Sequence, residues 1–444
     1  MGRKGMKNTI PKIVAFGLVA CIGLTSLGVA PVKADQKTSS GNSTYTAEYS
    51  SERLSSNYTQ ISTKYTLPQY KGENIVINIE ESISDIGTAK LTDEIREYDG
   101  ANKVLDMELD DTVSITVNVP EDGQYFVLFD YLSYDESILP IEMAMQVDGE
   151  YPFYECRNLE FETYWTPDEE PSYDRYGNQL VTVPNKMIRW EEKYLMDSSY
   201  RHSAPLAVEL KAGAHTFSFT VNEGNFLLGN LTLVAPFETE EYKGSETATG
   251  KELITIQGED IFEANSSSIH GIAEFDTSVY PYETVDTKLN TLDSGSFDTA
   301  GQTVTYQFEV TKAGYYYIGM NYKQSDKTDF QVFFDVRIDG KIPNTAFETY
   351  GMNYNTKYKT TTLTDNEGKN LRVYREEGGH TISFTISMDA IREVMEQLDV
   401  IMSGVNDLAL EITKVAGTNS DKYRDLKLSK YIPDLEDKLY GYSD

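Results

Sequence analysis

The feature that most constrains this chain is that it repeats itself. Thr112-Val113-Ser114-Ile115-Thr116-Val117-Asn118-Val119 recurs as Thr303-Val304-Thr305-Tyr306-Gln307-Phe308-Glu309-Val310, an offset of 191. The same offset holds through Gly123/Gly314, Tyr125/Tyr316, Tyr131/Tyr322, Asp148-Gly149/Asp339-Gly340 and Pro152/Pro343. A second block, Gly213-Ala214-His215-Thr216-Phe217-Ser218-Phe219-Thr220-Val221, returns as Gly378-Gly379-His380-Thr381-Ile382-Ser383-Phe384-Thr385-Ile386 at an offset of 165. Self-similarity on this scale means two copies of one fold. The fall from 191 to 165 gives the first copy 26 extra residues between Pro152 and Gly213.

The repeated blocks read as strands. Val113, Ile115, Val117 and Val119 alternate with polar residues, as do Val304, Tyr306, Phe308 and Val310, and Phe217, Phe219 and Val221 against Ile382, Phe384 and Ile386. Period-two alternation buries one face and wets the other, the habit of antiparallel sheets. Glu121-Asp122-Gly123, Lys312-Ala313-Gly314, Asp148-Gly149 and Asp339-Gly340 read as tight turns between neighbouring strands. The fold class is therefore mainly β: two tandem jelly-roll β-sandwiches, over 71–237 and 251–387, joined by a linker at 238–250.

The last part changes period. Ile391, Val394, Leu398, Ile401, Val405, Leu408, Ile412 and Val415 follow one another at steps of three and four. That spacing predicts a long α-helix over 388–417, capped near Ser387 and stopped by Gly417. Its seam calls for a partner surface, either its own sandwich, a second helix or another copy. Ile432-Pro433-Asp434 reads as a further helix start in the C-terminal segment 418–444. The first repeat ends in a strand-like Leu231-Thr232-Leu233-Val234 where the second runs into the helix, and both features predict a longer parent chain.

The first 34 residues read as a signal peptide: basic up to Lys12, apolar over 13–30, with Val32-Lys33-Ala34 as the cleavage site. A rival lipobox, Leu18-Val19-Ala20-Cys21, would leave a lipid anchor at Cys21, but the residues after it stay apolar. Either route exports the chain, to the medium or the cell surface. A polar leader over 35–70 follows. No second apolar run reaches the ~20 residues of a membrane span. Cleavage after Ala34 leaves 34 basic against 71 acidic residues, a charge of −37 compared with −32 for the whole chain. That balance excludes nucleic acid and anionic lipid as electrostatic partners. Cys156 would then be a lone thiol, and it reads as a small buried hydrophobe.

No catalytic motif announces itself, although a carboxylate pair for glycoside hydrolysis stays open among 71 acids, none of which is singled out. G-x-S-x-G, H-E-x-x-H, Walker and C-x-x-C motifs are missing, and with 4 His no histidine-based site is expected. His215 and His380 hold equivalent places beside a turn, which favours a structural role. The enlarged stretch 153–212 holds both tryptophans, Trp165 and Trp190, with Tyr164, Asp174, Asn178 and Arg201 around them. Aromatic faces can lie on the C–H face of a sugar ring while Asp, Asn and Arg bond its hydroxyls. The alternative is that the tryptophans plug the core beneath a long loop. Tyr350, Tyr354 and Tyr358 in the shorter second copy form a second candidate sugar site. A short strand over Leu253-Ile254-Thr255-Ile256-Gln257 ends in Gly258-Glu259-Asp260, and Glu259 with Asp260 could form one corner of a structural Ca²⁺ site.

Ile254–Asp260, the strand–turn–strand blocks and the Gly-x-His-Thr turn resemble carbohydrate-binding modules of families 6 and 35, galactose-binding-like jelly rolls. Tyr151-Pro152-Phe153-Tyr154-Glu155, the loop from Tyr164-Trp165 to Asp174–Asn178, Trp190, and Tyr423-Arg424-Asp425 with Ile432-Pro433 resemble the N-terminal region of large extracellular solute-binding proteins of bacterial ABC sugar importers. The resemblance implies non-catalytic binding of an oligo- or polysaccharide, with an importer permease as a further partner. It also implies a two-lobed sugar-binding body, which the few residues after Pro433 cannot hold. Two other readings stay open: a module of a secreted glycoside hydrolase or lyase, and a cell-surface adhesion or scaffold protein.

Overall fold

The first repeat closes a sandwich whose inner faces are the alternating residues named above. One sheet has seven antiparallel strands: Trp190–Tyr194, Gly123–Ser133, Phe226–Val234, Val104–Met107 and Lys90–Thr92 in that order, with Ile75–Ile77 also on Phe226–Val234 and Ala207–Leu210 on Gly123–Ser133. The other has five, ordered Ile83–Asp85, Thr112–Val119, Gly213–Glu223, Ile141–Val147, Leu159–Phe161. Val113, Ile115, Val117 and Val119 are buried as the alternation requires, and they join Phe129, Tyr131, Phe161, Phe217 and Phe219 in one core. Cys156 is a free, fully buried thiol in that core, and burial holds it well above the ordinary thiol range. In this computed structural model the described residues are 54–92, 103–168, 170–244, 252–417 and 426–442. The expected signal segment with Cys21, the leader up to residue 53, residues 245–250 of the linker and Tyr423-Arg424-Asp425 lie outside them.

The second repeat builds the same frame around its own core, with Val304, Tyr306, Val336, Ile338 and Ile382 facing Leu363, Leu371 and Val373. The copies agree down to single hydrogen bonds. Leu195 N–H donates to the Val127 carbonyl as Leu363 donates to Ile318, and Leu206 donates to Leu195 as Leu371 donates to Leu363. Leu195 and Leu363 stand 168 apart, so 23 of the 26 extra residues (191 − 168) fall between Pro152 and Leu195.

Those extra residues do something the spacing did not show. Tyr164–Thr166 and Asn185–Met187 leave their own sandwich and extend the second module's sheet, whose order is Asn185–Met187, Tyr164–Thr166, Glu263–Ala264, Thr303–Val310, Gly378–Ile386, Val332–Ile338, Tyr350–Met352. Trp165 faces Ala264 on one side and Lys186 on the other. Further along, Gln179 N–H donates to the Thr287 carbonyl at 2.8 Å and Thr287 N–H to Asn178 Oδ1 at 3.0 Å. The two modules are strapped together by donated strands as well as joined by a linker, and all described residues belong to one compact unit.

Two expectations need correction. The polar leader expected over 35–70 is structured in part, for Tyr58–Ser62 is a short helix whose Tyr58 ring meets Phe153 edge-on at 5.0 Å. Tyr70 stacks on Tyr125 at 4.6 Å, so the first module takes in residues well before 71. Apolar rings scattered through a polar stretch anchored it. Leu253–Gln257 is not a ladder strand. In the first repeat Ile75–Ile77 pairs with Phe226–Val234, and the second repeat has a helix where that partner would lie.

The helix runs over Arg392–Ala416 after a 3₁₀ turn at Asp389–Ile391. It stops at Gly417, whose φ of +76° suits glycine and whose N–H closes on Thr413 at 2.8 Å. The expected seam is only partly covered. Leu408 is buried, but Val394, Leu398 and Val405 are exposed, while Met395 and Ser403 are buried instead. Polar anchors set this rotation: Arg201 Nη1 pairs with Asp399 at 2.6 Å and Thr59 Oγ1 donates to Glu396 at 2.6 Å.

Candidate functional site: a tyrosine-lined cleft on the second module

The residues singled out around the tryptophans are not brought together. Trp165 is 6% exposed, with Nε1 donating to Thr163 Oγ1 at 3.2 Å, so it presents no face to a ligand. Trp190 lies in a different sheet, packed on Val104, Leu132 and Leu227. The Tyr164 ring lies 5.1 Å from the Arg189 guanidinium, which pairs with Glu263 and Glu191. Burial, with Glu162 nearby, pushes the Tyr164 phenol well above its ordinary range. Arg201 is spent on Asp399 of the helix. Asp174 closes its own turn, accepting from Tyr176 N–H at 2.7 Å and from Asn178 N–H and Nδ2 at 3.0 and 2.9 Å. Of these, Trp165 and Asn178 hold the junction with the second module, and a strap laid over that module must satisfy its own polar groups as they lose water.

The tyrosines of the second copy are divided too. Tyr350 packs on the core and its hydroxyl accepts from Thr364 N–H at 3.1 Å. Tyr358 lies under the Lys323 ammonium at 4.9 Å, and Lys323 pairs with Glu274. Tyr354 sits half-buried in the turn between them.

At the proposed metal corner, burial pushes Glu259 up to about 7 and raises Asp260 as well. Glu259 Oε2 is buried without a hydrogen-bond partner. An orphaned carboxylate oxygen suits a cation, but among the described residues no group of three or more metal-capable side chains surrounds it. The two acids alone do not make a Ca²⁺ site, which takes six or more oxygens.

The histidines are structural in both copies. His215 Nδ1 meets Asp148 Oδ2 at 2.7 Å and Nε2 meets the Lys211 carbonyl at 2.8 Å. His380 repeats this with Asp339 at 2.9 Å and Glu376 at 3.0 Å. Each ring clamps an Asp-Gly turn to the neighbouring strand.

A concave site does exist where the sequence had not pointed. On the second module Gly314–Tyr317 pairs with Arg372–Arg375, Tyr315 opposite Tyr374 and Tyr317 opposite Arg372. Tyr316 and Val373 occupy the alternate register, and Val373 is buried in the core, so Tyr315, Tyr317, Arg372 and Tyr374 take the outer face. Tyr317 and Tyr374 are each 45% exposed, and Tyr315 meets Tyr374 edge-on at 5.3 Å. Residues of the linker and a turn wall off one side. The resulting open, shallow cleft, of about 370 Å³, lies between Tyr242, Gly244, Tyr317, Gly368, Lys369, Asn370 and Arg372. Asp365 holds the turn, accepting from Glu367 and Lys369 N–H at 2.9 Å each. Tyr242 donates to the Asn370 carbonyl at 3.4 Å and Arg372 Nη2 to that of Gly244.

By the offsets of 191 and 165, the same face of the first module carries Gln124, Phe126, Ala207 and Glu209. There Phe126 is buried beneath Tyr194 and Phe237. One copy therefore covers this face and the other leaves its tyrosines open. The available signal was the run Tyr315-Tyr316-Tyr317, in which alternation turns the middle ring to the opposite face from its two neighbours.

Residues 393–444 match the family model of the bacterial solute-binding protein, 4-helix bundle domain. The long helix opens that segment, with Ile432 buried and Lys438 paired to Glu411 where the shorter helices return onto it. The expected likeness to a solute-binding protein is thus found at the C-terminal end. Among solved structures the chain is similar to a family 35 carbohydrate binding module from Clostridium thermocellum, at 14% identity over 37% of this chain and 100% of that one, TM-score 0.25. It is similar to module CBM6cm-2 of Cellvibrio mixtus lichenase 5A, solved with cellotriose, at 16% identity over 37% and 98%, TM-score 0.22. It also resembles the Podospora anserina GH26-CBM35 β-(1,4)-mannanase at 12% identity over 39% and 30%, TM-score 0.24. No curated protein matches the chain.

Proposed function

We propose that this chain is a non-catalytic carbohydrate-binding protein acting outside the cell, the modular N-terminal region of a solute-binding protein that serves a sugar importer and its permease. The observation that carries the reading is the tyrosine-lined cleft. It offers one exposed aromatic ring, Tyr317, for sugar C–H groups, with an amide, a guanidinium and an ammonium beside it for hydroxyls. The solute-binding match over 393–444 supports the importer part, and the basic-then-apolar residues 1–34 support export.

The test is a glycan array followed by calorimetry on residues 35–444 and on Tyr317→Ala. Tyr317 is partly exposed and touches the core little, so the variant should keep its melting temperature. It should lose affinity by about 1–3 kcal/mol, the range for removing an aromatic anchor. Folded protein that retains no glycan but captures a protein partner would replace this reading with the adhesion or scaffold one. Cleavage of the bound glycan would replace it with the hydrolase one.

A further inference from the structure

The helix Arg392–Ala416 opens the segment that matches the solute-binding family, and a polar loop of the first module holds its N-terminal end. His202 sits at the centre of that contact. Its Nδ1 lies 3.1 Å from Arg392 Nη1 and its Nε2 3.2 Å from Thr59 Oγ1, which in turn donates to Glu396 Oε1 at 2.6 Å. The two ends of this chain fix the protons in the middle. A guanidinium only donates, so Nδ1 must be the accepting, unprotonated nitrogen. Thr59 gives its one hydroxyl proton to Glu396, so it must accept from Nε2–H. Both demands name the same neutral tautomer. From Arg392 through His202 and Thr59 to Glu396, the bonds tie the first turns of the long helix to the loop and to the short helix Tyr58–Ser62.

A second proton on this ring has no acceptor. An N–H at Nδ1 would point at Arg392, lose the bond that links the ring to the long helix and set two cations 3.1 Å apart. Three carboxylates act on the ring, and each is committed elsewhere. Asp197 of its own loop accepts from Ser199 and Arg201 N–H at 2.9 and 3.0 Å. Asp389 of the 3₁₀ turn accepts from Arg392 at 2.7 Å and from Ser203 N–H at 2.9 Å. Glu396 holds Thr59. The neighbouring cation Arg201 pairs with Asp399, and Tyr58 of the short helix meets the imidazole edge-on at 5.2 Å. Burial holds His202 below its ordinary 6.5 and Arg392 acts the same way, against the pull of Asp197, Asp389 and Glu396. The docked form therefore binds fewer protons than the released one, and docking weakens as pH falls below 6.5 toward the lowered value. One proton weakens it by at most about tenfold per pH unit.

We infer that His202 is an acid-release latch: its neutral ring fastens the first turns of the long helix to the first module, and protonation at Nδ1 frees them. The latch couples ambient acidity to the placement of the C-terminal segment on the sandwiches. It does not depend on what the cleft binds.

The test places nitroxide labels on residues 35–444 at Ile138→Cys and Val400→Cys, both exposed positions, while the native Cys156 is fully buried. Pulsed electron paramagnetic resonance should give one narrow distance at pH 7.5 and a broad distribution at pH 5.0, with circular dichroism unchanged. His202→Gln does not titrate and should stay narrow at both. Proton NMR should place the His202 midpoint below 6.5, and Arg392→Gln should raise it, because an amide can turn its oxygen to the charged ring. A distribution that ignores pH, the same acid broadening in His202→Gln, or broadening that comes only with loss of the β signal overturns the inference. Should His202→Gln be broad at both pH values, the titration decides. A midpoint at or above 6.5, or one that Arg392→Gln leaves in place, overturns the latch, and a lowered midpoint that rises in Arg392→Gln upholds it.

Discussion

Replacing Trp165 by alanine separates a ligand platform from a structural wedge. The indole is 6% exposed, sits in a ladder between Ala264 and Lys186, and spends its N–H on Thr163. Burying a Trp side chain removes roughly 150–250 Å² of ring surface from water, which at about 25 cal/mol per Å² corresponds to roughly 4–6 kcal/mol. Some of that returns as neighbours relax into the space, so about 3–5 kcal/mol of lost stability is expected. The loss should fall on the junction. Urea unfolding should become less cooperative, and proteolysis near residues 170–185 should accelerate. Glycan affinity measured on the folded fraction should stay unchanged, because none of the cleft residues belongs to the strap. Loss of less than about 1 kcal/mol of stability together with loss of glycan binding would refute the reasoning and return Trp165 to the role of a sugar platform.

Two other measurements probe the scaffold. Burial works against the Asp148 carboxylate, but hydrogen bonds from Thr216 N–H and His215 outweigh it and hold the group below its ordinary 3.8. Burial likewise lowers His215, and the Asp148 bond outweighs that and raises it above 6.5. The Asp148 contribution is present above pH 3.8 and fades as pH falls through its lowered value, while the His215 contribution is present below pH 6.5 and fades as pH rises through its raised value. His215→Gln should therefore destabilise most between about pH 4 and 6.5, as melting curves across pH would show; a loss independent of pH would remove the ion pair from the explanation. Gly301 has a φ of +84°, and a Cβ there would stand 2.0 Å from the Tyr200 ring. Gly301→Ala should cost more than about 2 kcal/mol in denaturant unfolding from strain and displaced aromatic packing together, and a neutral result would mean that Tyr200 is free to move.

Much of the frame was legible because alternation is a local signal. Val113 to Val119 and Val304 to Val310 announce their buried faces residue by residue, and the helix announces its stop at Gly417. The fate of the extra segment was not legible. Tyr164-Trp165-Thr166 is a three-residue strand whose partner lies about a hundred residues further on, and no period in so short a run tells which sheet accepts it. The tyrosine cleft escaped for a related reason. In Tyr315-Tyr316-Tyr317 both faces carry the same side chain, so the pattern hides which rings are inside. Only the pairing with Arg372–Arg375 settles that, and only the covered Phe126 in the other copy shows that exposure here is a difference between the two.

The donated strands change what the duplication amounts to. A repeated unit is ordinarily interchangeable: it can be cut out, moved or lost, and its sibling still folds. Here the later copy borrows sheet from the earlier one, so the pair is inherited as a single object. Residues 251–387 expressed alone would leave the edge of Glu263–Ala264 bare, an invitation to pair with the wrong chain. During synthesis the loan arrives first, since Tyr164–Thr166 leaves the ribosome before the sheet that receives it. The segment must wait in the open until its recipient exists, and the order of assembly is written into the order of the chain.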